Sequence, residues 1–346
     1  MSNRVVIAAL ALAVSVSAAG LLAVGSSGGS EGQRTIGIVF PDPNTGAPLS
    51  REVEHGGSAA ASALGDDLVI IPADGPEAMT SAVKSLIAQH AAAIAVATDQ
   101  GPDTVKQVLP VLAQARAAGI PTLSFADEQF PGSVWVSQST PDQYAQALAD
   151  ALSSQTGERG QYAIVACAPH TSIVPIWLKD VEAYVPQRYP RMKRVAVAYG
   201  DTGNGDDPVE AHMLRRLTKR HPHLRGLIFL CPAESSNVPP QIVRAHKVGK
   251  IFSAGNGGDC PPLYISWVRN VRHGAEEVVC AGDPVKLGYL VVWAADYLAR
   301  GHTFAPGSYD VGGPVGTVQY LAQDAELPLG QPLTITKANV DQYAEP

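Results

Sequence analysis

Short apolar runs alternate with stretches of helical spacing from Thr35 onward, and this alternation limits the fold more than any other feature of the chain. The runs are TIGIVF (35–40), DLVIIPA (67–73), AAIAVAT (92–98), IPTLSFAD (120–127), QYAIVAC (161–167), RVAVAYG (194–200), GLIFLC (226–231), KIFSAG (250–255) and EEVVCA (276–281). Nearly continuous apolar runs mean strands covered on both faces, as in parallel sheets. Between them, Val83, Leu86 and Ile87 fall at i, i+3, i+4, and Val105, Val108, Leu109 and Leu112 repeat the pattern. Strand and helix in alternation give an α/β fold. Nine strands exceed one flavodoxin-like unit and suit two lobes. SVWVSQST (133–140) breaks the rhythm as a strand without its own preceding helix, which is what a crossing between lobes requires.

The punctuation agrees. Gly119 closes one helix and Pro121 opens the next strand; Pro190 and Pro222 do the same in the second half. Thr140-Pro141-Asp142 reads as an N-cap followed by proline in the first turn.

Ahead of this pattern, Arg4 is followed by twenty uncharged residues, Val5–Val24, and then by small ones. That arrangement reads as an export signal over 1–26 with a flexible linker over 27–34. An apolar run of this length also just spans a bilayer, so an uncleaved anchor stays open. Leu22-Ala23-Val24-Gly25-Ser26 looks like a lipoprotein signal with Ser26 where the lipidated cysteine belongs, and a thioether link needs a thiol. The net charge of −7 argues against nucleic acid, and with no block of like charge the acidity reads as ordinary solubility.

All four cysteines, Cys167, Cys231, Cys260 and Cys280, lie in the second half. In an exported protein an even count favours disulfides; the spacing fits no metal site, and C-x-x-C redox chemistry is absent. G-x-S-x-G, the P-loop, H-E-x-x-H and the dinucleotide fingerprint are also missing, so nothing points to an enzyme or to a cofactor.

SLIAQHAAAIAVATDQGPDTVKQVLPVLAQARAAGIPTLSFADE, TKRHPHLRGLIFL (218–230), QRYPRMKRVAVAYGD (187–201), AGDPVKLGYLVVWAADYLARG (281–301) and QPLTITKANVDQY (331–343) form an ordered set. The set resembles the sugar-binding type I solute-binding proteins of ABC importers, most nearly the branch that binds rhamnose and the furanose-like signal autoinducer two. The resemblance implies two Rossmann-like lobes with parallel sheets, joined by a three-segment hinge (periplasmic binding protein-like I). The crossings would lie near Gln138, Asp283 and Val311. The first lobe would hold 35–137 plus 282–310, and the second 138–281 plus 311–346. Implied partners are a small sugar-like ligand, a deoxy sugar or a furanone, and a membrane permease, with the protein itself a monomer. A receptor signalling to a membrane sensor from the same fold remains a second reading, and an enzyme on this scaffold a distant third.

The resemblance also marks cleft positions. Asp42 and Asn44, in the loop after the first strand, bond a ligand or form the turn. Asp99 meets ligand or caps the helix begun by Pro102. After the fourth strand the family favours Trp-Asp-Ser-Asp; here Phe125-Ala126-Asp127-Glu128 leaves Phe125 for stacking and Asp127 as the carboxylate. On the second lobe, TSIVPIW (171–177) begins a helix where the branch has Asp-Gln-x-x-Trp, so Ile173 and Val174 stand in place of the polar fingers, ahead of Trp177. His170, Asn237 in the loop after GLIFLC, Gln138 and Asp283 complete the candidates; Asp283 also reads as an N-cap with Pro284 in the first turn, and Asn256 and Asp259 read as turn residues. If the second sheet runs 2-1-3-4-5, Cys167 and Cys231 end neighbouring strands, favouring 167–231 with 260–280; free thiols stay open.

Overall fold

The computed structural model describes residues 33–40, 49–97, 102–126, 129–166, 173–200, 207–257, 261–274, 276 and 278–342. Residues 1–32, where an export signal is expected, lie outside the described residues. Gln33–Pro346 forms one compact unit that holds every hydrophobic core described below.

The apolar runs become the strands of two sheets. β1 (Thr35–Phe40), β2 (Asp67–Pro72), β3 (Ala93–Ala97), β4 (Thr122–Phe125) and β5 (Val134–Ser137) lie in the first. β6 (Gly160–Ala166), β7 (Met192–Tyr199), β8 (Leu224–Phe229), β9 (Phe252–Asn256) and β10 (Val278–Ala281) lie in the second. Two hairpin strands, β11 (Gly307–Gly312) and β12 (Gly316–Tyr320), precede β13 (Glu326–Pro328) and β14 (Leu333–Thr336). The sheet orders are β13-β5-β4-β3-β1-β2 and β14-β10-β9-β8-β6-β7. All pairings in both sheets are parallel except β14 against β10. The expected 2-1-3-4-5 order of the second sheet is the observed β7-β6-β8-β9-β10.

Helices cover both faces of each sheet, as continuously apolar strands require. In the first lobe α1 (Leu49–Leu64) and α9 (Pro284–Ala299) cover one face, and α2 (Gly75–Ala88) and α3 (Pro102–Ala117) the other. α1 and α9 touch through glycines: a Cβ on Gly288 would come within 2.1 Å of the Val53 carbonyl oxygen. In the second lobe, α4 (Pro141–Thr156) and α5 (Ile173–Arg188) pack on one face. α6 (Asp207–Arg220) and α7 (Pro232–Arg244) pack on the other, and α8 (Pro261–Arg272) lies toward β14.

α7 carries Pro239 and Pro240 in its interior. Neither has an N–H, so the carbonyls one turn back, on Ser235 and Ser236, lose their helical donors. The side-chain amide of Asn270 on α8 donates to both of those carbonyls, each at 3.0 Å. A helix that its own sequence interrupts is thus completed by its neighbour.

The third crossing differs from expectation. Val311 is buried in the first lobe's core with Val318 and Leu327, and β13 pairs with β5. Residues 311–328 therefore belong to the first lobe, and the chain crosses between Pro328 and Leu333. β13 covers the edge of β5, which would otherwise expose unpaired backbone groups. Its place is fixed by Glu326, whose carboxylate accepts from the buried Ser137 hydroxyl.

Candidate ligand cleft

β5 leaves its sheet at Ser137 into Gln138 and then α4; β10 leaves its sheet at Ala281 into Asp283 and then α9. Both crossings start from carboxyl ends, so the carboxyl ends of the two sheets face each other across the crossings. Ligands in open α/β sheets bind at such ends.

The crossings are bonded together. Gln138 Oε1 accepts the Asp283 backbone N–H at 3.0 Å. The Asp283 carboxylate caps α9 by accepting the Lys286 N–H at 3.1 Å, and it pairs with the Lys286 ammonium at 3.3 Å. On the other crossing Thr140 and Gln143 form a reciprocal capping box at the start of α4, with Pro141 in the first turn. Thr140 and Asp283 thus act as the helix caps their sequence context predicts.

Beside the crossings lies a cavity of about 880 Å³. The first lobe lines it with Gln129, Trp135, Leu321 and residues 323–326, and the second with residues 140–143, Ile176 and Asp180. Asp142, Asp180, Asp324 and Glu326 give it an acidic wall without a lysine or arginine among its described lining residues. Burial pushes the Asp180 carboxyl upward, and Asp142 reinforces the shift. Burial also raises Glu326; the Ser137 hydroxyl opposes the rise, and Asp324 and Asp142 add to it. The Trp135 indole N–H donates to the Ala126 carbonyl at 2.8 Å. Ala126 has a positive φ of 72°, so the chain turns sharply as it leaves β4.

The candidate residues divide. Asp42, Asn44, Asp99, Asp127 and His170 lie outside the described residues, as do Cys167, Cys260 and the Cys280 side chain. Phe125 is a correction: it has no exposed surface and sits in the first core with Phe40, Ala97 and Val136, leaving no ring face for a ligand. Asn237 is another, since α7 begins at Pro232 directly after Cys231 and places Asn237 in a helix rather than a loop. Asn256 is not a turn residue either. It ends β9, is buried, accepts from the Tyr144 hydroxyl at 2.8 Å and donates to the Leu230 carbonyl at 2.9 Å.

α5 resolves the odd composition of TSIVPIW. Val174, Leu178, Val181 and Val185 recur on the face packed against the second core, whereas Ile176 and Asp180, four residues apart, face the cavity. Val174 therefore anchors the helix instead of replacing a polar finger, and Ile176 is the apolar group offered outward, 43% exposed. Trp177 packs back onto α4, its ring stacked on Tyr144 with centroids 5.3 Å apart. The sequence reading missed Trp135, Asp142, Asp180, Asp324 and Glu326. Only the i, i+4 relation of Ile176 and Asp180 was open to discovery beforehand.

Buried carboxyls mark the second lobe as well. Glu234 on α7 lies against Gly200, and burial raises its pKa to about 7, with Glu210 adding to the rise. Glu276 is fully buried and burial pushes it well above the usual carboxylate range. Cys231 is buried and disulfide-bonded.

Two parallel-sheet lobes with bonded crossings and a cavity lined from both define a two-lobed α/β protein. The chain belongs to the periplasmic binding protein domain family, whose model matches residues 36–303. Among solved structures, a sugar ABC transporter protein from Actinomyces odontolyticus shares 23% identity, with a TM-score of 0.76, over 90% of this chain and 98% of that one. A solute-binding protein of an ABC transporter from Clostridium phytofermentas, solved with L-rhamnose, shares 20% identity, TM-score 0.65, over 90% and 98%. An arabinose-binding protein from Geobacillus stearothermophilus shares 18% identity, TM-score 0.69, over 90% and 99%. At these identities the likeness establishes the fold. No curated protein sequence matches the chain.

Proposed function

We propose that this chain is an exported solute-binding protein that captures a small sugar-like ligand between its lobes and presents it to an ABC permease. The observation that carries this reading is the cavity of about 880 Å³ lined from both lobes beside bonded crossings. A ligand touching both lobes favours the closed arrangement by its differential affinity, and no bond chemistry is needed. Family membership and structural relatives solved with rhamnose and arabinose support the sugar class.

The ligand we favour has an apolar edge as well as hydroxyls: a deoxy or methylated sugar, or a furanone, consistent with the rhamnose and autoinducer-two branch. Ile176 and Trp135 suit the apolar edge, and Asp142, Asp180 and Asp324 can accept from hydroxyls. A fully polar ring against Ile176 would leave hydroxyls without bonds, at about 1–3 kcal/mol each. Asp42, Asn44, Asp99, Asp127 and His170 stand as further contacts in this proposal. Cys167 is the partner we assign to Cys231, because β6 and β8 are adjacent and each leads into one of the two cysteines.

Melting of Gln33–Pro346 against rhamnose, ribose, other hexoses, the autoinducer furanose and deoxy or methylated sugars tests the reading. Ligand at a hundred times its dissociation constant adds about 2.7 kcal/mol, a shift of several degrees. A rise confined to the less polar members is expected. A rise only with fully hydroxylated hexoses sinks the ligand class, and silence across the panel sinks sugar capture.

A further inference from the structure

The chain shows no run of like charge, but its fold makes one. Between Asp207 and Lys250 there are eight lysines and arginines against three acids, in a protein of net charge −7. Two of those acids, Glu210 and Glu234, are buried. Arg215, Lys219 and Arg220 are exposed on the last turns of α6, and Arg244 and Lys250 follow or end α7, with Lys247 half-buried between them. α6 and α7 run from the carboxyl ends of β7 and β8 toward the amino ends of β8 and β9. These cations therefore gather at the pole of the second lobe that faces away from the cleft. Arg225, at the start of β8, joins them with its guanidinium 5.7 Å over the Phe252 ring. Among the described residues, Arg215, Lys219, Arg220, Lys247 and Lys250 form no ion pair.

The pole is also concave and partly apolar. A groove of about 450 Å³ runs between α6 and α7, and its polar lining is Arg215, Thr218, Gln241, Arg244 and Lys247. On the segment that borders it, Val243 and Val248 are 44% and 47% exposed, two of the five large apolar side chains so exposed among the described residues. Cations around a groove of this size suit a phosphate-bearing headgroup. Valines standing out beside them add nothing for a free anion or a nucleic-acid backbone, which offer no apolar phase. They do gain from a bilayer, where apolar groups enter the interface while cations meet the anionic surface.

We propose that the α6–α7 pole of the second lobe docks on an anionic phospholipid surface, seating a phosphate headgroup in the groove and Val243 and Val248 at the interface. Docking at this pole leaves the cleft turned away from the lipid. The attraction is local, because the cations lie within a Debye length of the surface whereas the rest of the acidic chain is screened.

Sedimentation of Gln33–Pro346 with vesicles of phosphatidylglycerol and phosphatidylcholine, against vesicles of phosphatidylcholine alone, tests this. Binding to the anionic vesicles alone, weakening as salt rises, is expected. The pair Arg215→Glu with Lys247→Glu is expected to lower partitioning by at least about tenfold, because each cation near such a surface contributes a factor of about five. Reversing Lys84 and Lys106 on the first lobe changes net charge equally and is expected to reduce binding far less. Val248→Ser, which keeps every charge, is expected to weaken binding with an unchanged melt. Equal binding to both vesicle types overturns the proposal, as does retention by the Arg215/Lys247 pair. Binding of inorganic phosphate or an oligonucleotide without vesicle binding overturns it too.

Discussion

Gln138 Oε1 accepts the backbone N–H of Asp283 at 3.0 Å, so one crossing between the lobes is bonded directly to another. The Asp283 side chain is engaged elsewhere, capping α9 through Lys286. The two interactions use different atoms and are predicted to be independent. Gln138→Ala is expected to lower unfolding stability by about 1 kcal/mol, and Asp283→Ala by about 1–2 kcal/mol. Denaturant titration of the double variant is expected to give the sum within about 0.5 kcal/mol. A larger coupling would show that the Asp283 carboxylate also holds its own N–H in place for Gln138.

Trp177 belongs to the framework of the second lobe. Its ring stacks on Tyr144, and Tyr144 reaches Asn256 at the end of β9. Trp177→Ala is therefore expected to cost about 2–3 kcal/mol, less than full burial would, and Trp177→Phe under about 1.5 kcal/mol. Trp177→Phe is also expected to leave ligand affinity within about threefold of the parent, since the ring faces α4. If Trp177→Ala kept its melting temperature and lost ligand, the residue would be a contact instead.

How much of this the sequence disclosed depends on the range of the forces involved. β1 to β4 and β6 to β10 were legible because each is an apolar run bounded by turn residues, and the caps at Thr140 and Asp283 because a cap is a local motif. β11, β12 and β13 were not. β11 and β12 are short, partly exposed and largely polar, whereas β13 is three buried residues whose strand form comes from pairing with the edge of β5. The cavity was not legible: none of the described candidate residues lines it. Phe125 looked like a stacking ring because it stands where the resembling family has a tryptophan, yet the sheet turns it into the core. Asp142, Asp180 and Asp324 come from three separate segments, and the cations of the α6–α7 pole from four; only the fold brings each group together.

The bond between Asn270 and α7 was invisible for the same reason, and it makes a sharp prediction. Asn270→Leu leaves two buried carbonyls without donors and is expected to cost about 2–4 kcal/mol. Replacing Pro239 and Pro240 by alanine returns two backbone N–H groups to the helix. In that background the cost of Asn270→Leu is expected to fall by half or more. Comparing denaturation midpoints in the two backgrounds decides it. An equal cost in both would mean that Asn270 acts by packing alone.

Glu276 sets the direction of the pH dependence. It is fully buried, and its carboxyl oxygen lies so close to Gly255 that a Cβ there would meet it at 2.1 Å. Burial raises it well above the ordinary carboxylate range, and Glu234 to about 7. As pH rises from about 4.5, the unfolded chain releases these protons first while the folded chain keeps them. The folded state then binds more protons, so stability falls with rising pH. Asp66, raised to about 6 chiefly by burial, and Asp180 and Glu326 act in the same sense. Denaturation midpoints are therefore expected to be higher near about pH 5.5 than near about pH 8. Glu276→Gln keeps the shape and removes the titration, so it is expected to flatten the fall and stabilise the protein on the alkaline side. The Glu234 contribution should level off just above neutrality, whereas that of Glu276 persists beyond it. A Glu276→Gln variant with the parent's slope, or one less stable than the parent near about pH 8, would show that Glu276 is ionised in the fold and has a compensating partner.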